Sequence, residues 1–373
     1  MPQLLELAER FVLPGKIQAA QSFGAGIIND TYLVTLAHTD GTPSTKVILQ
    51  KINRQVFPQP EQIMANYRCV YDHIRAQLAA TPVDAPRQFS IPALYRTDTG
   101  VDYHVDTNGY YWRATRFVEN INAFDTLQSL QQAEEAGYAL GMFHRLLSNL
   151  NINLLNDTLP GFHITPQYLQ AYDNIDKAPV AQYKSDDVAF CVESIESGRP
   201  FADVLERAKQ RLTMNVIHGD PKLNNILFHR ESGQAVSIID LDTVKPGLIH
   251  YDLGDCLRSC CNVAGELAAF NQAPVEFDLD SCRAILKGYF SVAREFLKPD
   301  DYACLFDAVW LLPYELGLRF FTDYLQGNVY FKVTYEAQNL HRAQTQFQLL
   351  RSIRRQEKSI RQIIANIKNT KAS

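Results

Sequence analysis

Two short stretches constrain this chain more than any others. They are His218-Gly219-Asp220-Pro221-Lys222-Leu223-Asn224-Asn225 and, twenty positions after Asp220, Ile238-Ile239-Asp240-Leu241-Asp242. Between them, Asn225–Phe228 and Ala235–Asp240 read as the two strands of a hairpin turned at Glu231-Ser232-Gly233. A hairpin returns Asp240 toward the place where Asp220 left, so the fold must gather two carboxylates, a lysine and an amide at one end of it. Phosphoryl transfer asks for little more, because its work is positioning the reactants and neutralising charge on the transferred group. Asp220 is placed to orient an attacking hydroxyl or accept its proton. Lys222, two positions on, returns toward the same side and can meet phosphoryl oxygens. Asn225 and Asp240 offer the hard oxygen atoms that magnesium requires. Asp242 alternates with Asp240 if the strand continues, which suggests a second-metal or water-held role.

Asp220 and Asn225 stand at the H-x-D-x-x-x-x-N spacing of a kinase catalytic loop. In an in-line transfer with an aspartate base His218 has no proton to move, so it reads as a buttress of the loop. Tyr251-Asp252-Leu253-Gly254-Asp255 reads as a carboxylate that pins the loop's backbone amides.

The chain has 373 residues, 46% hydrophobic and 21% charged, enough for two lobes with separate cores. A net charge of −5 without long single-sign runs argues against nucleic acid and for a small polar substrate. No apolar run approaches membrane-spanning length, and the N-terminus lacks a signal-peptide pattern, so the expected location is the cytoplasm. Seven cysteines without a C-x-x-C pair read as reduced, buried thiols, including the closely spaced Cys256, Cys260 and Cys261.

The first third reads as a small sheet with one helix. Strands are expected at Thr31–Leu36 and Thr45–Gln50 around Asp40-Gly41, and a helix over Glu61–Leu78. A second hairpin follows at Val101–Val105 and Tyr110–Val118 around Asn108-Gly109, and Phe117–Asn120 then connects to the rest. Helices are expected at Ala133–Leu150, Tyr168–Asp176, Val188–Ser194, Ala202–Leu212, Ala264–Phe270 and Cys282–Phe296. In Glu336–Thr370 an apolar stripe (Leu340, Phe347, Leu350, Ile353, Ile360, Ile364, Ile367) suggests a helix packed on the body or making a dimer contact. Ahead of the first expected strand, Gly24 and Gly26 would let backbone amides approach phosphates. A phosphate-pairing lysine is expected on the strand Val47-Ile48-Leu49-Gln50-Lys51. Gln50 occupies its place and Lys51 falls one residue late, on the opposite face unless a bulge intervenes.

With these residues in hand, the chain resembles the aminoglycoside phosphotransferase and choline kinase superfamily, the small-molecule branch of the protein-kinase-like fold. Within it the resemblance is to the N-acetylhexosamine 1-kinases. It is carried by Gly26–Val34, Ile48-Leu49-Gln50 with Val56-Phe57-Pro58, Lys222–Leu227, Ile239–Thr243 and Arg319–Phe331. The resemblance implies an α+β, bilobal fold, with a small antiparallel-sheet N-lobe over 1–120 and a mainly helical C-lobe over 121–373. It further implies phosphorylation of the anomeric hydroxyl of N-acetylglucosamine or N-acetylgalactosamine, dependent on ATP and Mg2+, by a monomer or homodimer. Gly24, Gly26, Gln50, Lys51 and Glu119 would then serve the nucleotide. Asp220, Asn29, Arg319 and Tyr330 would serve the sugar, although a helix pairing Arg319 with Asp323 at i,i+4 is the competing reading of that stretch. Ile28 stands where that subgroup carries a histidine, which removes a hydrogen-bonding side chain beside Asn29. Two rivals remain: a phosphotransferase acting on an aminoglycoside or amino alcohol, and a nucleotide-binding regulator without turnover. Cationic acceptors call for an acidic pocket, and no acidic cluster beyond the metal carboxylates stands out.

Overall fold

The computed structural model describes residues 2–24, 28–38, 43–80, 87–175, 185–265 and 274–369. A short helix α1 (Pro2–Ala8) precedes three strands, β1 (Lys16–Ser22), β2 (Asp30–Ala37) and β3 (Thr45–Ile52), and the long helix α2 (Pro60–Ala80). Then come β4 (Leu94–Tyr95), β5 (His104–Val105) and β6 (Tyr111–Arg116). These strands form one antiparallel sheet of order β1-β2-β3-β6-β4, with β5 pairing β6. Val34, Leu36, Val47, Leu49, Trp112 and Ala114 project to one face and are buried against Ala8 and Phe11, which makes a separate small core. Strand β1 was not anticipated, since only Ala20 of its seven residues is buried and an exposed edge strand leaves no alternation to read. Gly109 takes φ +78° in the expected Asn108-Gly109 turn. The expected Asp40-Gly41 turn lies outside the described residues.

The chain leaves this sheet at Arg116, and β7 (Ile121–Asn122) already pairs with β9 (Ile226–His229) of the helical part. Helices α3 (Leu130–Leu147), α4 (Thr165–Asp173), α5 (Asp186–Gly198) and α6 (Val204–Ala208) follow, near their expected places. Next are β8 (Met214–Ile217), β9, β10 (Ala235–Ile238) and β11 (Lys245–Leu248), with β9 and β10 forming the expected hairpin. Helices α7 (Ile249–Cys260), α8 (Leu279–Ala293), α9 (Pro299–Ala303), α10 (Leu305–Leu325), α11 (Gln338–Arg355) and α12 (Glu357–Asn369) complete the body. The terminal stripe is two helices broken at Gln356. Its Leu340, Phe347, Leu350, Ile353, Ile360 and Ile364 are buried in the main core, so the intramolecular reading holds. The helix expected at Ala264–Phe270 falls largely outside the described residues. All seven cysteines are free thiols, with only Cys69 partly exposed.

Helices α3 and α8 pack backbone to backbone. A Cβ placed on Gly288 would stand 1.9 Å from the Glu134 carbonyl oxygen, and one on Gly137 would stand 1.9 Å from that of Ile285. A carbonyl cannot swing aside as a side-chain end can. Gly288→Ala is therefore expected to cost about 3 kcal/mol of stability, measured by denaturant unfolding; a loss within about 0.5 kcal/mol would contradict this packing.

Candidate active site

The His218–Asn225 loop is held by backbone-directed side chains. Gly219 adopts φ +85°, and a Cβ there would meet the Thr243 carbonyl oxygen at 2.8 Å, so only glycine fits between the loop and the Leu241–Thr243 turn. Asp252, fully buried on α7, accepts the amides of His218 (2.6 Å) and Gly219 (2.8 Å), as its sequence position suggested. His144 of α3 sits 2.8 Å from the same carboxylate, and burial opposed by these partners leaves Asp252 below the usual carboxylate range. His218 Nε2 donates to the Ile239 carbonyl (2.8 Å), while Nδ1 accepts the Asp220 amide (3.3 Å). Burial lowers its pKa, so it is a neutral strut between the two motifs, in agreement with the expected buttress.

These restraints bring Asp220, Asn225 and Asp240 to one place. Asn225 Nδ2 donates to the Asp220 carbonyl oxygen at 2.8 Å, and the Asn225 carbonyl accepts the Ile239 amide at 2.9 Å. Lys222 Nζ lies 2.8 Å from Asp220 Oδ2, so the lysine reaches the side on which it was expected and tempers the charge of the carboxylate. Asp240 does not continue the strand. It takes left-handed φ/ψ angles of 66° and 61° after β10 ends at Ile238, and a tight turn follows. The strand-parity argument for Asp242 is corrected accordingly. Asp242 is buried, its Oδ1 paired with the Arg113 guanidinium and its Oδ2 bonded to Asn29 Nδ2 at 2.6 Å. A metal ion drawing on Asp242 would compete with that guanidinium.

The donor set fits a hard cation. Asp240 is exposed yet crowded by protein, and that crowding, with Asp242 and Asp220 near, pushes its carboxyl up to about 6. Crowded carboxylates of this kind are relieved by a bound cation. Asn225 spends its amide hydrogens on Asp220, leaving its oxygen for an ion. Among the described residues no three His, Cys, Asp or Glu side chains cluster as a metal site. Magnesium here would therefore draw on Asn225, Asp240 and the oxygens of a bound nucleotide.

The sheet settles the facing of Gln50 and Lys51. Pairing of β3 with β2 and β6 runs without a bulge from Thr45 to Ile52. Gln50 lies between Thr31 and Arg113, bonded to Thr31 Oγ1 at 3.1 Å and accepting Arg113 Nε at 3.0 Å. Lys51 faces the other way, paired with Asp30 at 2.7 Å and placed over the Tyr110 ring. The expectation that Lys51 serves the phosphates is thus corrected, because the pleat carries it to the opposite face. Gly24 has φ +71° with open space around it, and Gly26 lies outside the described residues. Beside Gly24, Phe23 meets Phe117 edge to face at 5.9 Å, and half-exposed Glu119 stands 3.9 Å from Lys46.

A cleft of about 400 Å³ opens between the 159–171 segment and α10. Arg319 sits in it, its Cζ 5.0–5.8 Å from the ring centres of Phe162, Tyr168, Tyr330 and Phe331. The alternative pairing with Asp323 is not formed. Buried Asp323 instead accepts the amides of Val329, Tyr330 and Phe331, stapling the loop that brings both rings over Arg319. Among the described residues Arg319 has no hydrogen-bond or ion-pair partner, and the Thr322 hydroxyl, also in this cleft, is buried and unpaired. Asn29 reaches its surroundings differently from expectation, with Oδ1 accepting the Asn53 amide (2.9 Å) and Nδ2 committed to Asp242. A sugar contact would draw on its second amide hydrogen.

A family model described as "Phosphotransferase enzyme family" matches residues 19–285, well over half of the chain. The chain belongs to that family. Solved structures extend the likeness over its full length. The choline kinase of Cryptosporidium parvum superposes with a TM-score of 0.61 at 13% identity, covering 99% of each chain. A microcompartment-associated aminopropanol kinase gives 0.60 at 16% identity, covering 96% of this chain and 98% of its own. An aminoglycoside phosphotransferase of Alicyclobacillus acidocaldarius gives 0.60 at 15%, covering 98% and 97%. At such identities the likeness establishes the kinase-like fold, α+β with an antiparallel-sheet N-terminal region and a helical remainder. The family membership makes the protein a small-molecule phosphotransferase. No described helix is long and apolar enough to cross a membrane.

One residue of this phosphotransferase's site was not read from the sequence at all. His163, buried at φ +65°, lies with Nε2 2.8 Å from the Gly219 carbonyl and Nδ1 2.9 Å from Glu315 Oε1. It thereby ties the His218–Asn225 loop to α10 one turn before Arg319. Burial alone would lower its pKa, but Glu315, its hydrogen bond and more distant Asp255 raise it above 6.5, while Tyr251 stacks on the ring. A raised folded-state pKa contributes stability that is complete below the unfolded value and is lost as pH rises through the folded value. The stability of the parent should therefore fall more steeply than that of His163→Gln above about pH 6.5. Identical alkaline slopes in thermal melts would show that the imidazolium contributes nothing.

Proposed function

We propose that this phosphotransferase moves the γ-phosphoryl group of ATP onto the anomeric C1 hydroxyl of an N-acetylhexosamine, releasing the sugar 1-phosphate and ADP. In this reading Asp220 orients the hydroxyl and takes its proton, and Lys222 steadies Asp220 and faces the transferred group. Asn225 and Asp240 hold magnesium, which when bound supplies positive charge beside the nucleotide's phosphate oxygens. Gly24 and Gly26 approach the phosphates through their amides, Gln50 lines the same face, and Glu119 borders the nucleotide slot. Arg319 and Tyr330 receive the sugar, with Asn29 at its edge. The protein would act in the cytoplasm on small molecules alone, as a monomer or homodimer.

The observation that carries the acceptor assignment is the unpartnered guanidinium of Arg319 among four aromatic rings. Such a cage would suit a cationic acceptor if it were empty, but here the protein fills it with its own positive charge. A choline or aminoglycoside ammonium entering the cleft would meet a like charge, which is an effective way to exclude it. A pyranose answers the same features favourably. Its apolar faces lie against tyrosine and phenylalanine, and its hydroxyl and acetamido oxygens accept from Arg319.

Magnesium-dependent ATP consumption across N-acetylglucosamine, N-acetylgalactosamine, their non-acetylated parents, an aminoglycoside and choline tests the assignment. Turnover is expected on the N-acetylated sugars. Turnover confined to choline or the aminoglycoside would discard the sugar and keep the Asp220 site. Bound ATP without turnover on any compound would favour the regulator.

A further inference from the structure

Position 50 carries glutamine where a kinase-like sheet would carry its phosphate-side lysine, and Lys51 points away. A fixed positive charge nevertheless reaches the inner face of the sheet, from the neighbouring strand. Arg113 of β6 is the cross-strand partner of Gln50, and its side chain is 2% exposed. Its Nε donates to Gln50 Oε1, its Nη1 pairs with Asp242, and its Cζ lies 5.7 Å from the Tyr67 ring centre. Asn29, from the other side of the sheet's mouth, holds the second oxygen of Asp242. Helix α2 places Tyr67 beside this cation and no carboxylate; its Glu61 accepts the Tyr111 hydroxyl at the exposed end of the sheet.

A buried guanidinium is costly unless its charge is answered, and Asp242, two residues from Asp240, answers it. The converse matters more for a nucleotide. Without Arg113, Asp242 would add a third carboxylate to Asp220 and Asp240 on the side of a polyphosphate, where Lys222 is already paired with Asp220.

We propose that Arg113 is the positioning residue for the nucleotide's phosphates, doing from β6 what a lysine at position 50 would do. It fixes Asp242, and with it the Asp240 turn, against the N-terminal sheet. It also cancels a carboxylate charge that would otherwise repel ATP. This inference rests on ATP as the donor and not on the identity of the acceptor, so the test uses binding without any acceptor.

The experiment is calorimetric titration of magnesium–ATP and of adenosine into the parent, Arg113→Met and the double variant Gln50→Lys/Arg113→Met. Arg113→Met should weaken magnesium–ATP binding by at least about tenfold. Adenosine, which carries no phosphate, should bind within about twofold of the parent. Lysine at position 50 should restore most of the lost ATP affinity. Unchanged ATP affinity in Arg113→Met would overturn the proposal, as would parallel losses for ATP and adenosine, which are the mark of a merely structural role. If Arg113→Met does not fold, the double variant decides. A folded double variant with recovered ATP affinity supports the transplanted charge, and one no better than Arg113→Met, through misfolding or lost binding, overturns it.

Discussion

Asp220→Asn should lower phosphoryl transfer by about 10²–10⁴-fold while leaving ATP affinity within a few-fold of the parent. The substitution keeps the shape of the side chain and removes the group that can orient and deprotonate a hydroxyl. The loop itself should survive, because it hangs from Asp252, His218 and the Gly219 turn and not from the Asp220 carboxylate. Lys222 loses its ion pair, but that pair is partly exposed, with side chains 21% and 31% accessible, and such pairs contribute little to stability. Steady-state kinetics beside a melting curve read both halves of the expectation. Full turnover in a folded Asp220→Asn protein would remove the base from the account.

Arg319→Met should have the second-largest effect, and on the acceptor alone. Methionine retains much of the apolar stem among Phe162, Tyr168, Tyr330 and Phe331 but donates no hydrogen bond. Hydrogen bonds from a charged donor contribute about 1.5–3 kcal/mol each, so losing two should cut kcat/KM for the sugar about a hundredfold or more. KM for ATP should not move. The same variant leaves an aromatic cage without its resident cation, so choline should bind more tightly to it than to the parent. Equal losses for ATP and sugar would point to a displaced α10, and unchanged sugar kinetics would place the acceptor elsewhere.

What could be read from the sequence, and what could not, follows from the range of the interactions. Asp220, Asn225 and Asp240 converge through one short hairpin, so local spacing located them. The apolar stripe of α11 and α12 was equally local. Arg113 was invisible because its meaning depends on strand register: only the pairing of β3 with β6 sets it opposite Gln50 and carries Lys51 to the other face. His163 lies far in sequence from both Gly219 and Glu315, and a lone histidine in a loop gives no signal of either. Asp323 misled in another way. Its i,i+4 spacing from Arg319 suggested an ion pair along the helix, whereas the amides of Val329, Tyr330 and Phe331 take its carboxylate instead. Strand parity likewise failed at Asp242, since the left-handed turn at Asp240 ends the period-two pattern.

The acceptor proposed for this phosphotransferase is the anomeric oxygen of an N-acetylated sugar. Phosphorus–proton correlation NMR of the product formed from N-acetylglucosamine or N-acetylgalactosamine, ATP and magnesium addresses it most directly. A single phosphorus signal coupled to the anomeric proton is expected. A phosphorus coupled to any other sugar proton, or no phosphorylated sugar while another acceptor is consumed, would contradict it.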